Sequence, residues 1–240
     1  MTAEATPRAT WIACLRATGV AYEAGLAWQR ATAAALRAGT GAEAIALIEH
    51  ASVYTLGARG DRGSLRVPAE ALRAPLIEAD RGGDVTWHGP GQLVGYPILD
   101  LRARGIRPAD YVRALERVLI EALRVLGVAA TTVPGRPGVW VGDVKVAAIG
   151  VRVRDGVSTH GFALNVDPDL TWFDDIVPCG IADATVTSLH ALLAEPPSIE
   201  RVVEVVRGAF EAEFEVSVIG AETWDAHERA AHAWVRQRWS

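Results

Sequence analysis

Lysine is nearly missing from this chain: among 24 Lys and Arg residues in 240, Lys145 is the sole lysine. Every other strong positive charge is an arginine, whose guanidinium stays protonated at any relevant pH, whereas a lysine amine can be tuned by burial and can release its proton. The surrounding run Val144-Lys145-Val146-Ala147-Ala148-Ile149-Gly150-Val151 reads as a buried strand, where a solvent-loving side chain is out of place. Two readings stand: a lysine kept for proton chemistry, or a strand-end lysine whose stem is buried and whose amine snorkels to water. Cysteine is scarce too. Cys14 and Cys179 are too few for a disulfide scaffold and lack the paired spacing of a zinc site, so each is expected as a free thiol. No apolar run approaches the roughly 20 residues of a membrane-spanning helix. Residues 1–8 lack the basic and apolar regions of a signal peptide, and the expectation is a cytoplasmic protein away from membranes. A formal net charge of -5 argues against broad nucleic-acid binding.

What is present is a mixture of short periodic segments. Half of the residues are hydrophobic, and neither an internal repeat nor a long linker interrupts the chain, so a single α/β domain over residues 1–240 is expected. Helices are expected at 22–37, stopped by Gly39 and Gly41, at 108–126 behind Pro108, at 198–213, and near the C-terminus. Strands are expected at 11–15, 44–50, 76–79, 93–99, 139–141, 145–153 and 157–166, the last two joined by a turn at Asp155-Gly156. Such hairpins predict a mixed, largely antiparallel sheet flanked by helices, not a doubly wound parallel fold. Two groups of arginines, Arg59/Arg62/Arg66 and Arg102/Arg104/Arg107, read as solvated loops; if either is functional, an acidic protein fits it better than a nucleic acid.

Two further stretches carry candidate chemistry. Cys179 lies in Ile176-Val177-Pro178-Cys179-Gly180-Ile181, where proline fixes one side of the backbone and glycine frees the other. A constrained turn of this kind holds a nucleophile well, although a lone cysteine also serves as inert core filler. Cys14, in an apolar strand, reads as packing. The run Arg81-Gly82-Gly83-Asp84-Val85-Thr86-Trp87-His88-Gly89-Pro90-Gly91-Gln92 reads as a glycine-rich loop between two strands, which lets a ligand approach the main chain. It lacks the Gly-Lys-Ser/Thr ending of a P-loop, leaving a binding loop of unspecified ligand, with His88 either a general base or a loop anchor.

The same run, extended through Leu93-Val94-Gly95-Tyr96-Pro97-Ile98, together with Lys145-Val146-Ala147-Ala148-Ile149-Gly150, Thr159-His160-Gly161-Phe162-Ala163-Leu164-Asn165 and Pro178-Cys179-Gly180-Ile181, resembles the octanoyl-[acyl-carrier-protein]:protein octanoyltransferases, the LipB family of lipoate biosynthesis. Tyr54-Thr55-Leu56-Gly57 also fits, and the resemblance covers roughly residues 50–190, with Trp87 where the family more often has tyrosine or phenylalanine. It implies a catalytic domain like those of biotin and lipoate protein ligases. It further implies Cys179 as acyl acceptor with Lys145 beside it, and a substrate lined by Arg81, Gly82, Gly83, Asp84, Val85, Thr86, Trp87 and His88, by Ala148, Ile149 and Gly150, and by Gly161, Phe162 and Ala163. The implied partners are octanoyl-acyl carrier protein as donor and, as acceptors, lipoyl domains of 2-oxoacid dehydrogenase complexes and the glycine cleavage H protein.

In the chemistry this implies, Cys179 attacks the octanoyl thioester and releases the carrier thiol, a nearly isoenergetic exchange. A free cysteine is only a few per cent thiolate near neutral pH, so an ammonium at Lys145 favours the anion. The acceptor lysine must then lose a proton. From a pKa of about 10.4 that costs roughly 4 kcal/mol near pH 7.4, and a neutral Lys145 can accept that proton where an arginine cannot. Amide formation from a thioester is downhill, so no cofactor, metal or nucleotide is required. Three alternatives remain: an ATP-dependent lipoate ligase on the same fold, which needs no cysteine; a cysteine hydrolase pairing Cys179 with His88 or His160; and a non-catalytic carrier-binding module.

Overall fold

A segment buried on both faces forms the centre of the sheet. A computed structural model of the chain describes residues 11–177 and 185–223. In it β6 (Gln92–Ile98) is buried along its whole length and pairs antiparallel with β2 (Ala44–His50) on one side and with β10 (Val157–Asn165) on the other. From β10 the antiparallel order continues through β9 (Val144–Arg154) and β8 (Arg136–Val141) to β7 (Thr131–Val133). Beyond β2 the pairing turns parallel, to β1 (Trp11–Val20) and then β12 (Ser217–Thr223), while the short β11 (Thr185–Val186) lies parallel to the start of β9. The sheet is thus mixed and largely antiparallel. At the β9–β10 turn Asp155 and Gly156 both have positive φ, 51° and 85°, the combination whose twist matches a two-residue hairpin.

Three longer helices cover this sheet. Helix α1 (Tyr22–Arg37) ends where Gly39 takes φ 69° and Thr40 N–H donates to Ala35 O, a left-handed stop that glycine adopts without strain. Helix α2 (Pro108–Val125) begins on a proline that needs no intrahelical partner and buries Tyr111, Leu115, Val118, Leu119, Ala122 and Leu123 on one stripe. Each fully buried leucine of that stripe contributes about 1.5–3 kcal/mol. The stripe packs against the sheet together with α4 (Ile199–Phe214), whose first turn is capped by Ser198 Oγ. A single turn, α3 (Leu189–Leu192), precedes α4. On the opposite face α1 packs Trp28 and Ala33 over Val94, Tyr96 and Ala163. A small separate sheet orders β4 (Leu76–Glu78), β3 (Val53–Leu56) and β5 (Val85–His88) around a core of Tyr54, Leu56, Val85, Trp87, Phe173 and Ile176. Among the described residues no helix is long and apolar enough to cross a membrane.

Two expectations are corrected. Residues 81–92 are not a continuous loop, because Val85-Thr86-Trp87-His88 pairs antiparallel with Val53–Leu56 as β5. Four glycines masked a short strand whose partner lies some 30 residues earlier in the chain. Of the Arg102/Arg104/Arg107 group, Arg102 and Arg107 are exposed as expected, but Arg104 is not. Arg104 is turned inward onto Glu43, with Nε 2.9 Å from Oε1 and the two side chains 2% and 7% exposed, and Glu43 also accepts from Asp100 N. Arg107 is tied to Asp110 at 2.7 Å. Removing one partner of a buried pair strands the other charge, so Arg104→Met is expected to lower the unfolding free energy by about 3–5 kcal/mol in a urea titration. The helix expected near the C-terminus lies outside the described residues.

Candidate active site

Side chains on the sheet face opposite α2 and α4 shrink to glycine and alanine where β9 and β10 run side by side. Gly150 stands opposite Gly161 and Ala148 opposite Ala163, leaving space above the sheet that the residues of β5 and the turn before it roof over. The result is a groove of about 480 Å³ including its open mouth. Both glycines are required by close approach: a Cβ on Gly161 would lie 2.2 Å from Gly95 O, and one on Gly150 would lie 2.8 Å from Gly82 O. The groove brings together Arg81, Gly82, Gly83, Asp84, Val85, Thr86 and His88 with Ala148, Ile149, Gly150, Gly161, Phe162 and Ala163. Trp87 is not among its lining. As its strand alternates, the indole turns to the other side, stacks on Trp172 at 5.4 Å and meets Phe173 edge-on, so it belongs to the small sheet's core. Tyr22, Val94, Tyr96 and His160 also line the groove. Sequence reasoning did not select Tyr22, Val94 and Tyr96 as site residues. The alternation of Val94 and Tyr96 around Gly95 was a usable signal, whereas nothing local marks Tyr22.

Lys145 sits near the first residue of β9, 4% exposed. Its Nζ donates to Pro137 O at 3.2 Å and lies 4.8 Å from the centre of the Trp140 ring, which supplies a face suited to a cation. It lines a smaller recess, about 280 Å³ with its open mouth, with Thr86, Gln92, Ala148, Ala163, Asn165, Phe173 and Val186. Thr86, Ala148 and Ala163 line both spaces, so the lysine stands at one end of the groove.

A hydrogen-bond relay fixes the protonation of the neighbouring histidine. Thr187 N donates to Lys145 O at 2.9 Å, and Thr187 O can only accept, which makes Asn165 Nδ2 the donor to it at 2.9 Å. Asn165 Oδ1 therefore accepts from Gln92 Nε2 at 2.9 Å, and Gln92 Oε1 accepts from His88 Nδ1 at 2.7 Å. His88 is held as the Nδ1–H tautomer. Burial, with His50 and Arg81 nearby, depresses its pKa to about 3, so it is neutral and a weak base at physiological pH. His50 follows the same logic: Nδ1 donates to Val20 O at 2.8 Å, Nε2 accepts from Tyr96 Oη at 2.6 Å, and burial brings its pKa to about 4. His160, with φ 57°, turns Nε2 onto Asp80 Oδ1 at 2.8 Å. Burial lowers its pKa further than the Asp80 carboxylate raises it. Among the described residues, no cluster of three or more His, Cys, Asp and Glu side chains converges as a metal site would.

Cys179 lies outside the described residues, as do Pro178 and Gly180. The described chain before them is tied to the small sheet and its flanking loops, and the chain after them to β9. Before them, Tyr54 Oη donates to Asp175 Oδ2 at 2.6 Å, Arg73 Nε donates to the same oxygen at 2.8 Å, and Val177 N donates to Ser64 O at 2.7 Å. After them, Val186 pairs with Lys145 itself. Cys14 is buried among apolar neighbours, and burial pushes its thiol pKa up, away from reactivity.

The model of the lipoyl protein ligase A/B catalytic domain matches residues 21–211, most of the chain. The chain belongs to this family. Among its curated relatives, the octanoyltransferase of Citrifermentans bemidjiense is 51% identical over 171 residues, covering 71% of this chain and 82% of the relative. The octanoyltransferase of Mycobacterium avium is 49% identical over 193 residues, 78% and 80% of the two chains. In solved structures the fold recurs in a lipoate-protein ligase A bound with ATP, with a TM-score of 0.72 at 16% identity over 90% of this chain and 88% of that one. At that identity the likeness is one of fold. The lipoyl protein ligase A/B domain therefore supplies the sheet and groove, and the local residues decide the chemistry.

Proposed function

We propose that this chain is an octanoyltransferase, an acyltransferase that moves an octanoyl group from acyl carrier protein to a lysine of lipoyl-domain proteins through a thioester on Cys179. The observation that carries the reading is the chain's single lysine, buried at the end of a glycine- and alanine-floored groove in a family member whose near relatives are octanoyltransferases. One catalytic domain spans the chain, and it works in the cytoplasm.

The Cys179 thiol gives its proton to the Lys145 amine, and the thiolate adds to the thioester carbonyl. Collapse breaks the bond to the carrier sulfur, which leaves with the proton from Lys145. The neutral Lys145 then takes the proton of the acceptor amine as that amine attacks the acyl-enzyme. The amide forms, Cys179 sulfur departs, and the proton on Lys145 restores the thiol. In sum a thioester and an amine become an amide and a thiol. Arg81, Gly82, Gly83, Asp84, Val85, Thr86 and His88 wall the acyl chain, with Ala148 to Gly150 and Gly161 to Ala163 beneath it. The hydrolase alternative loses support from His88, whose depressed pKa makes it a poor base at neutral pH.

The test is transfer without ATP. Octanoyl-carrier protein and a lipoyl domain, mixed with the enzyme alone, are expected to yield an octanoyl-lysine amide on the domain by mass spectrometry. Product formed only from free octanoate and ATP would replace this reading with that of a ligase, and free octanoate released with acceptor present would replace it with that of a hydrolase.

A further inference from the structure

A net-acidic chain repels an acidic partner at long range and needs a local basic face to receive one. Of the two arginine groups, Arg102/Arg104/Arg107 does not provide it. Arg104 is committed to Glu43, and the group sits at the Arg154 end of β9, where Asp100 bridges Val157. That is nine residues from Lys145 along β9, about 30 Å at strand rise. Arg59, Arg62 and Arg66 differ on each count. All three are exposed, and they ride on a segment wedged between the groove wall and the chain that leads to Cys179. On one side Ala58 N donates to Arg81 O at 2.9 Å, Asp61 N to Asp84 Oδ1 at 3.0 Å and Ser64 Oγ to Asp84 Oδ2 at 2.6 Å. On the other, Val177 N donates to Ser64 O, Leu65 bridges Ile176, and Arg66 N donates to Asp175 O at 2.8 Å. Nearby acids offset part of the charge. Asp61 Oδ1 accepts from its own turn at Gly63 N, and Glu78 meets Arg62 in a pair 62% and 72% exposed, the kind that a competing partner displaces at small cost. Glu70 is the remaining exposed acid of the segment. Leu65, Val67 and Ala69 add apolar surface in a shallow concavity, about 680 Å³ with the open solvent above it, that Arg62 and Arg66 rim.

We propose that Arg59, Arg62 and Arg66 form the docking face for the acidic surface of the protein that delivers the acyl thioester, setting its prosthetic arm beside the groove mouth. The inference rests on the transferase reading for the identity of the donor. Its test is therefore a binding measurement that does not depend on turnover. The wild-type protein and the variant R59E/R62E/R66E are titrated with acyl carrier protein at low and high salt. The expected result is salt-sensitive binding to the wild type and a Kd at least about tenfold weaker in the variant. In kinetics the variant is expected to raise KM for octanoyl-carrier protein while leaving kcat and KM for octanoyl-pantetheine, an uncharged thioester, within about twofold. An unchanged Kd overturns the proposal, as does equal loss with both donors, or a rise in KM confined to the acceptor domain. The single variants R59E and R66E, each expected to weaken binding in part, carry the same test should the triple variant not fold. Carrier binding that depends on these arginines, in a wild type that transfers nothing, would sink the transferase reading and leave the docking face standing.

Discussion

Lys145→Arg is expected to keep detectable acyl-enzyme formation while slowing transfer to the acceptor lysine by about 10²–10⁴-fold, the usual range for loss of a positioned proton acceptor. An arginine retains a positive charge that favours the Cys179 thiolate, with water slowly taking the thiol proton and returning one to the carrier sulfur, but it cannot be neutral, so it cannot take the proton of the attacking amine. The two halves of the reaction are therefore expected to separate. In rapid-quench experiments with octanoyl-carrier protein, a burst of bound acyl group should appear and then decay only slowly when acceptor is added. The space around Lys145 is closed by Trp140, Phe173 and Val186, so a folding check by thermal unfolding accompanies the kinetics. Lys145→Met, similar in length and uncharged, should lose both halves. Full transfer by the arginine variant would remove the proton-acceptor role from Lys145.

Cys179→Ser is expected to reduce octanoyl transfer by at least about 10³-fold, because a serine hydroxyl is far harder to deprotonate than a thiol. Cys14→Ser gives the contrast. Cys14 is 5% exposed in an apolar cluster with a raised thiol pKa, so its replacement should cost stability by introducing a buried hydroxyl and leave transfer unchanged. Retained activity in the Cys179 variant, measured as octanoyl-lysine on the lipoyl domain, would point to a mechanism without a covalent intermediate.

The elements were legible where periodicity was long. Residues 22–37 and 44–50 show the expected bounds, and the α2 stripe follows the 3.6-residue spacing of Tyr111, Leu115, Leu119 and Leu123. What stayed hidden were features fixed by residues distant in sequence. The strand β5 exists because Val53–Leu56 pairs with it, and no local pattern of four residues among four glycines announces that. Arg104 looks like its neighbours until Glu43, 61 residues away, claims it. At the groove, chemistry-bearing residues were visible as motifs, but strand parity was not: Trp87 belongs to the motif and faces away from the groove, while Tyr22 belongs to a helix and faces into it. The lone lysine was readable from composition alone, because the chain uses arginine at its other 23 basic positions.

The most direct test is the mass of the protein after brief exposure to octanoyl-carrier protein without acceptor. One octanoyl group is expected, labile to hydroxylamine as a thioester is, on the peptide containing Cys179, and discharged when a lipoyl domain is added. An intact protein that never gains this mass while product accumulates, or an adduct on the peptide containing Cys14, would contradict the account.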